Sequence, residues 1–497
     1  MINSIKTFSD LIIYWDLTDC ISKNDIYYVY LNDKYLFQTK KTHLTIREIV
    51  EKNGTIDIYT DDEKKNLFYH EEYKLSNKPR FIDITEAPYN AVGDGKTVNT
   101  KAIQKAIDDC LDGECVYVPE GTYLTGALNL HSNMELYIEK GGMLLGSAEP
   151  DDYLPKIWSR FEGIEMECYQ SLLNMGNINN RDEISCKNII IHGDGKICGG
   201  GRPLAENVVS VEKERLKEYM ESLGDEINTY ENLETIPGRL RPKLINISCS
   251  KNIVIDNIEI SNGSCWNVHM LYSDNIVTCN CRFSSKNVWN GDGWDPDSST
   301  NCTLFNCDFN TGDDCVAIKS GKNPEGNIIG KPCENIKIFD CRCEDGHGFT
   351  IGSEMSGGVR DVYIWDCDMK KSIFGLEIKA TKKRGGYVKN VYVSRSIVPR
   401  ITMHSVPYND DGAAAETKPV FSDCVFEDIT ICGEARPWGE TEIKPCDAIE
   451  LDGFDENCKI KNIVFKDIVI DNGHSSVRQT LSLQRLQNVT LSNISVR

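Results

Sequence analysis

The chain has 497 residues, a formal net charge of -21, 40% hydrophobic residues and 26% charged residues. That length exceeds one ordinary domain and points to several domains or one elongated repeat. The acidity argues against a nucleic-acid partner, and no uninterrupted apolar run approaches the roughly 20 residues of a membrane-spanning helix.

The start, Met1 to Thr7, lacks a basic stretch leading into an apolar core, so a cytoplasmic location is expected. The 21 cysteines are odd in number and recur inside strand-like runs, which suits reduced, buried side chains better than a disulfide framework. Residues 1 to 80 alternate as half-buried strands do: Leu11 to Trp15, Ile26 to Leu31, a turn at Asn32-Asp33, then Tyr35 to Phe37. Trp15 followed by a Tyr-rich strand resembles a fibronectin type III module, which implies a small β-sandwich. Lys78-Pro79-Arg80 is the expected linker.

From Thr100 to Cys110, Ala102, Ile103, Ala106, Ile107 and Cys110 share one helical face, with Asn99 or Thr100 as the N-cap. A helix there plugs the open end of a series of strands expected to begin at Val116. A short unit then returns at Asn188, Asn252, Asn275, Asn301, Asn335, Asp361 and Asn390, each followed by a β-branched run. From Asn252 the separations are 23, 26, 34, 26 and 29 residues, and Cys281, Cys307, Cys341 and Cys367 keep step at 26, 34 and 26. That is the signature of stacked coils, so the expected fold is all-β, a right-handed parallel β-helix solenoid over 85 to 497 preceded by the small β-sandwich. Residues 150 to 243 interrupt it with a charged helical segment near Glu212 to Leu223 and are expected to form loops over one face.

Asp292, Asp313, Asp314 and His347 lie 12 to 17 residues beyond the anchors Asn275, Asn301 or Asn335 of their own coils. A shared register puts them on one outer face of neighbouring rungs, roughly 4.8 Å apart. Crowded carboxylates raise the pKa of one member, supplying the acid and the base that glycosidic cleavage needs. Singly, Asp-Asp in a Gly-rich turn or His in Gly-His-Gly reads as a solvated turn, and an acid cluster can hold Ca²⁺.

Asn290-Gly291-Asp292, Gly312-Asp313-Asp314, Gly346-His347-Gly348 and Ile378-Lys379 together resemble the signature motifs of glycoside hydrolase family 28, the polygalacturonases and related pectin hydrolases. The resemblance implies hydrolysis with inversion, no metal or organic cofactor, and a galacturonide-containing oligosaccharide as partner. It makes Asp313 the general acid, Asp292 and Asp314 the groups that activate water, and His347 their hydrogen-bonding neighbour. Asn290, Lys379, Arg384 and Glu377 are the expected substrate-binding residues. Two departures stand out: Gly291 replaces a usual Thr, and Glu377 stands where polygalacturonases place an arginine that grips a substrate carboxylate. Either Arg384 reaches in to replace that arginine, or the sugar bound there is not a uronate.

The sequence therefore leads to a pectin-fragment hydrolase, exo-acting if the long loops close one end of the cleft. A rhamnogalacturonan or xylogalacturonan hydrolase, a Ca²⁺-dependent β-helix lyase and a non-catalytic carbohydrate-binding solenoid are the alternatives. Oligomeric state is not legible in the sequence.

Overall fold

The recurring asparagine is the residue that bends the chain. In the computed structural model, which describes residues 2–19, 25–471 and 481–497, Asn188, Asn252, Asn275, Asn301, Asn335 and Asn390 all have φ between 54° and 58°. Asparagine tolerates this left-handed conformation because its short amide can hydrogen-bond locally. The amides also tie coil to coil: Asn275 Nδ2 donates to Asn252 Oδ1 at 2.8 Å, and Asn252 Nδ2 to Asn188 Oδ1 at 3.0 Å.

Successive coils build three parallel sheets of 13, 8 and 11 strands. Asp274–Cys279, Arg282–Ser284 and Trp294–Asp297 are one such turn. Inward positions repeat in register, so Ile253, Ile276, Cys302, Ile336, Val362 and Val391 stack in one buried core. Fully burying a side chain of this size contributes about 1.5–3 kcal/mol. Cys281, Cys307, Cys341 and Cys367 are buried beside them, and Ser396 continues the ladder by donating Oγ–H to Ser394 O while accepting Cys367 N–H. The fold is the right-handed parallel β-helix expected from the repeat.

The chain divides into two units, Met1–Phe81 and Ile82–Arg497. In the first, a three-stranded antiparallel sheet (Ile2–Lys6, Leu11–Trp15, His43–Ile46) accompanies a four-stranded one built from Lys34–Thr39, Tyr27–Leu31, Asn53–Tyr59 and Leu67–Lys74. Leu11, Ile13, Trp15, Val29, Ile56 and Ile58 form its core. Asn32 and Asp33, at φ 49° and 60°, make the tight turn that joins Tyr27–Leu31 to Lys34–Thr39.

Three expectations of the second unit need correction. Strands Phe81–Asp83 and Asp94–Val98 already belong to the long sheets, so the helix does not precede the solenoid; Asp94–Val98 is polar and lacks the alternation that marks a strand. The helix ends at Asp108, and Asn99, at its N-cap, turns its side chain instead to the Val92 backbone at 2.7 and 3.0 Å. Residues 150 to 243 are not only loops, for Leu173–Met175, Cys186–Gly193 and Lys196–Cys198 are sheet strands. Between and after them come a hairpin, Ile157–Phe161 with Ile164–Cys168, and a helix, Gly201–Arg215, that begins well before Glu212. Glu212 anchors that helix by accepting hydrogen bonds from Lys156 at 2.6 Å and Tyr169 at 2.8 Å.

Candidate active site

Strand register on the 11-stranded sheet places the site. Trp294 pairs with Val316 and Val316 with Phe349, so Asp292, Asp314 and His347, each two residues ahead, form one row across three rungs. A second row runs through Ala317, Thr350, Glu377 and Thr402. The third runs Asp297, Lys319, Gly352, Lys379, His404. Gly352 has φ 99°, and a Cβ there would lie 2.0 Å from the Lys379 carbonyl oxygen, so no side chain separates the two lysines.

The first row, with Lys319, Gly352 and Lys379 of the third, lines a cleft of about 420 Å³ together with Asp313 and Asn290. His347 Nδ1 is 3.0 Å from Asp313 Oδ1 and 3.4 Å from Asp314 Oδ1. Thr350 Oγ1 donates to Asp314 Oδ1 at 2.7 Å, and Lys379 Nζ is 3.9 Å from Asp314 Oδ2. Burial alone would lift the Asp314 carboxyl, but Lys379, His347 and Thr350 outweigh it and hold it well below the usual range. Burial likewise opposes the charge on His347, and Asp313 with Asp314 overcomes it, pushing the imidazole up to about 10. An imidazolium donates hydrogen bonds rather than ligating, so although these three residues offer atoms within 4.8 Å of one another, their charge is already balanced by His347 and Lys379.

The raised carboxyl is Asp292. Crowding was expected to raise one member of the group Asp292, Asp313 and Asp314, and it is Asp292, the one that His347 does not touch. Asp292 is 3% exposed, and burial first, then Asp313 and Asp314, push it up to about 7 against the pull of Lys319. Lys319 Nζ donates to Asp292 Oδ2 at 3.1 Å and is shared with Asp295 at 3.6 Å and Glu354 at 3.8 Å. Asp295 is fully buried, neither of its oxygens finds a hydrogen-bond partner, and burial raises its carboxyl well above the usual range. Asp292 Oδ1 and His347 Nε2 are also buried without partners, which marks polar atoms aimed at a ligand rather than at the fold.

A glycosyl hydrolases family 28 model matches residues 184–437, and a rhamnogalacturonase A/epimerase, pectate lyase-like model matches 81–137. The chain belongs to glycosyl hydrolase family 28. It is therefore a glycoside hydrolase. An exo-poly-alpha-D-galacturonosidase of Dickeya chrysanthemi is 28% identical over 438 residues, 84% of this chain and 71% of that protein. The exopolygalacturonase of Yersinia enterocolitica shares the fold over 100% of this chain and 98% of its own, at TM-score 0.80 and 22% identity. That of Thermotoga maritima covers 83% of this chain and 92% of its own, at TM-score 0.67 and 27% identity.

The expected substrate-binding residues of this family 28 chain divide. Asn290 and Lys379 line the cleft, and Asn290 Oδ1 accepts from Arg241 Nη2 at 2.6 Å. Arg384 does not reach it. Fully buried, it donates to the Ser353 and Asn409 carbonyls, both at 2.8 Å, and to Asn323 Oδ1 at 2.5 Å, so it braces cleft-lining segments from behind. Glu377 is buried as well, 2.9 Å from Lys379 Nζ and 2.8 Å from His404 Nε2. Burial would raise its carboxyl, but Lys379 and His404 bring it down to about 2, so it holds a lysine and presents no bare charge.

Sequence reasoning missed Lys319, though Ile318-Lys319 repeats Ile378-Lys379 and sits in the same row. It also missed a wall. Arg239 Nε donates to Glu162 Oε2 at 2.7 Å, and its two Nη atoms donate to Asp411 at 3.1 and 3.0 Å; Lys322 completes the group by bonding Asp411 and Asn409. Glu162 is the hairpin tip, and beside it Gly163, at φ 78°, fits against Lys322, where a Cβ would lie 2.4 Å from the Lys322 Cβ. These contacts join the hairpin, the Arg239 segment and the loop around Asp411 along one flank of the cleft.

Proposed function

We propose that this family 28 hydrolase is an exo-acting polygalacturonase, cutting α-linked galacturonan oligosaccharides with inversion. The observation that supports the chemistry is the split between Asp313, the most accessible carboxylate of the three, and Asp292 and Asp314, buried beside it. Asp313, held by His347, gives a proton to the departing glycosidic oxygen. Asp292, ionised and oriented by Lys319, takes a proton from the attacking water together with Asp314. Inversion requires acid and base roughly 6.5 to 9.5 Å apart to admit that water, a span that one or two rungs of roughly 4.8 Å supply.

The exo reading is supported by the Glu162, Arg239 and Asp411 wall and by the exo-acting relatives. The described cysteines are free thiols, most of them buried, which supports a reducing, intracellular compartment and imported fragments as substrate.

Incubation with polygalacturonate tests the reading. Products of one size released from one end, with inverted anomeric configuration by proton NMR, are expected. A spread of oligomer sizes rules out exo action, and an unsaturated, UV-absorbing product rules out hydrolysis.

A further inference from the structure

The lysine nearest the catalytic carboxylates on this side of the cleft is spent inside the protein. On the Lys379 rung the ammonium is committed to Glu377 at 2.9 Å and faces Asp314 at 3.9 Å. Glu377 occupies the position where the arginine of the resembling enzymes stands, and Arg384 is turned into the protein. Among the described residues lining the cleft are six carboxylates (Glu162, Glu231, Asp292, Asp313, Asp314 and Glu354) and three cations, Lys319, Lys379 and His347, while Glu162 is paired to Arg239 behind the wall. Each of those three cations is already paired to one or more carboxylates.

What this side of the cleft offers instead is aromatic surface. Trp438 is 63% exposed, with its ring 4.3 Å from that of His347, and Phe374 and Tyr408 line the same stretch. Such faces suit the C–H face of a sugar and its hydroxyls. Arg400 lies 4.6 Å over the Phe374 ring and does not line the cleft, and Arg241 behind Asn290 is held by that side chain and by backbone carbonyls.

We propose that the sugar seated on the Lys379 rung is one without a C6 carboxylate, either a methyl-esterified galacturonate or a neutral sugar, held by Trp438, Phe374 and Tyr408. This specificity rests on the hydrolase reading above and narrows it: among galacturonide bonds, the one cut fastest joins a galacturonate to an uncharged neighbour. A substrate carboxylate there meets Asp313 and Asp314 and a lysine that Glu377 has already neutralised, so it gains little attraction for its desolvation, and about 1.4 kcal/mol is a tenfold loss.

Three disaccharides test it: α-1,4-digalacturonate, the same compound methyl-esterified at its reducing residue, and galacturonosyl-rhamnose. The expected result is a kcat/KM at least about tenfold higher for one or both uncharged acceptors, the faster one naming the source. KM for digalacturonate should fall as ionic strength rises, because salt screens repulsion. Glu377→Gln should raise the digalacturonate-to-ester ratio of kcat/KM by about tenfold, a ratio that cancels any loss of folded protein. Digalacturonate as the best substrate, with KM rising with salt, overturns the inference, and loss of that preference in Arg400→Ala then gives the grip to Arg400. An unchanged ratio in Glu377→Gln overturns it as well. If none of the three is cleaved, the hydrolase reading falls and takes this one with it, whereas mixed oligomers from polygalacturonate remove only the exo claim.

Discussion

Two lysines, Lys319 and Lys379, stand in the same row on either side of Gly352 and meet opposite conditions. Lys319 serves Asp292, Asp295 and Glu354, all buried, and is their one ion-pair partner within 4.0 Å among the described residues. Lys379 serves Asp314 and Glu377, and each of those acids has a histidine as well, His347 and His404. One cation among three acids leaves a carboxyl high, Asp292 at about 7. Two imidazoles added to one lysine leave both acids low. A solenoid that repeats one position on successive rungs thus builds a proton-accepting and a permanently ionised carboxylate from the same side-chain types.

The residue between the two halves gives the largest expected effect. Asp313→Asn removes the proton donor and should lower kcat by about 10²–10⁴-fold. Binding of galacturonide followed by calorimetry should survive, which separates this outcome from loss of fold. Equal loss of binding and turnover would remove Asp313 from the chemistry.

Lys319→Met breaks the first half. In the native protein Asp292 must be ionised to accept a proton, so kcat/KM should fall as pH drops below about 7. Without the lysine the Asp292 carboxyl rises further and that limb should move to higher pH, with kcat at neutral pH down about 100-fold and partly recovered in alkali. A limb that stays in place would detach Lys319 from Asp292. A profile that instead falls on the alkaline side near pH 7 would make Asp292 the acid.

Lys379→Met perturbs the second half and should cost less, about tenfold in kcat, because His347 and Thr350 still hold Asp314 ionised. The acid limb should not move, since it belongs to Asp292. A new limb would mean that Lys379 alone keeps Asp314 charged.

Much of this was legible in the chain because its physics is local. Asparagine in the left-handed conformation recurs at each bend, so the repeat could be counted, and similar offsets from it, 12 to 17 residues, pointed to one row for Asp292, Asp314 and His347. What was not legible depends on partners distant in sequence. Arg239 and Asp411 meet across 172 residues, and nothing in Lys382-Lys383-Arg384 says that Arg384 turns inward to Asn323. Which carboxyl is raised was not legible for the same reason: crowding of carboxylates can be counted in a sequence, but the histidine that relieves one pair and the lysine that three acids must share cannot.

Asp295→Asn gives the smallest expected change. Burial raises the Asp295 carboxyl well above the usual range, which favours its protonated form, and asparagine imitates that form in size and charge. Lys319 then sees the same charge in mutant and native protein, so the acid limb should stay within about half a pH unit of its native position. A shift of a full unit or more to lower pH would show that Asp295 is ionised and helps to raise Asp292. In that event the proton would belong to the Asp292-Asp295 pair as a whole, and the limb near pH 7 would report both carboxyls rather than one.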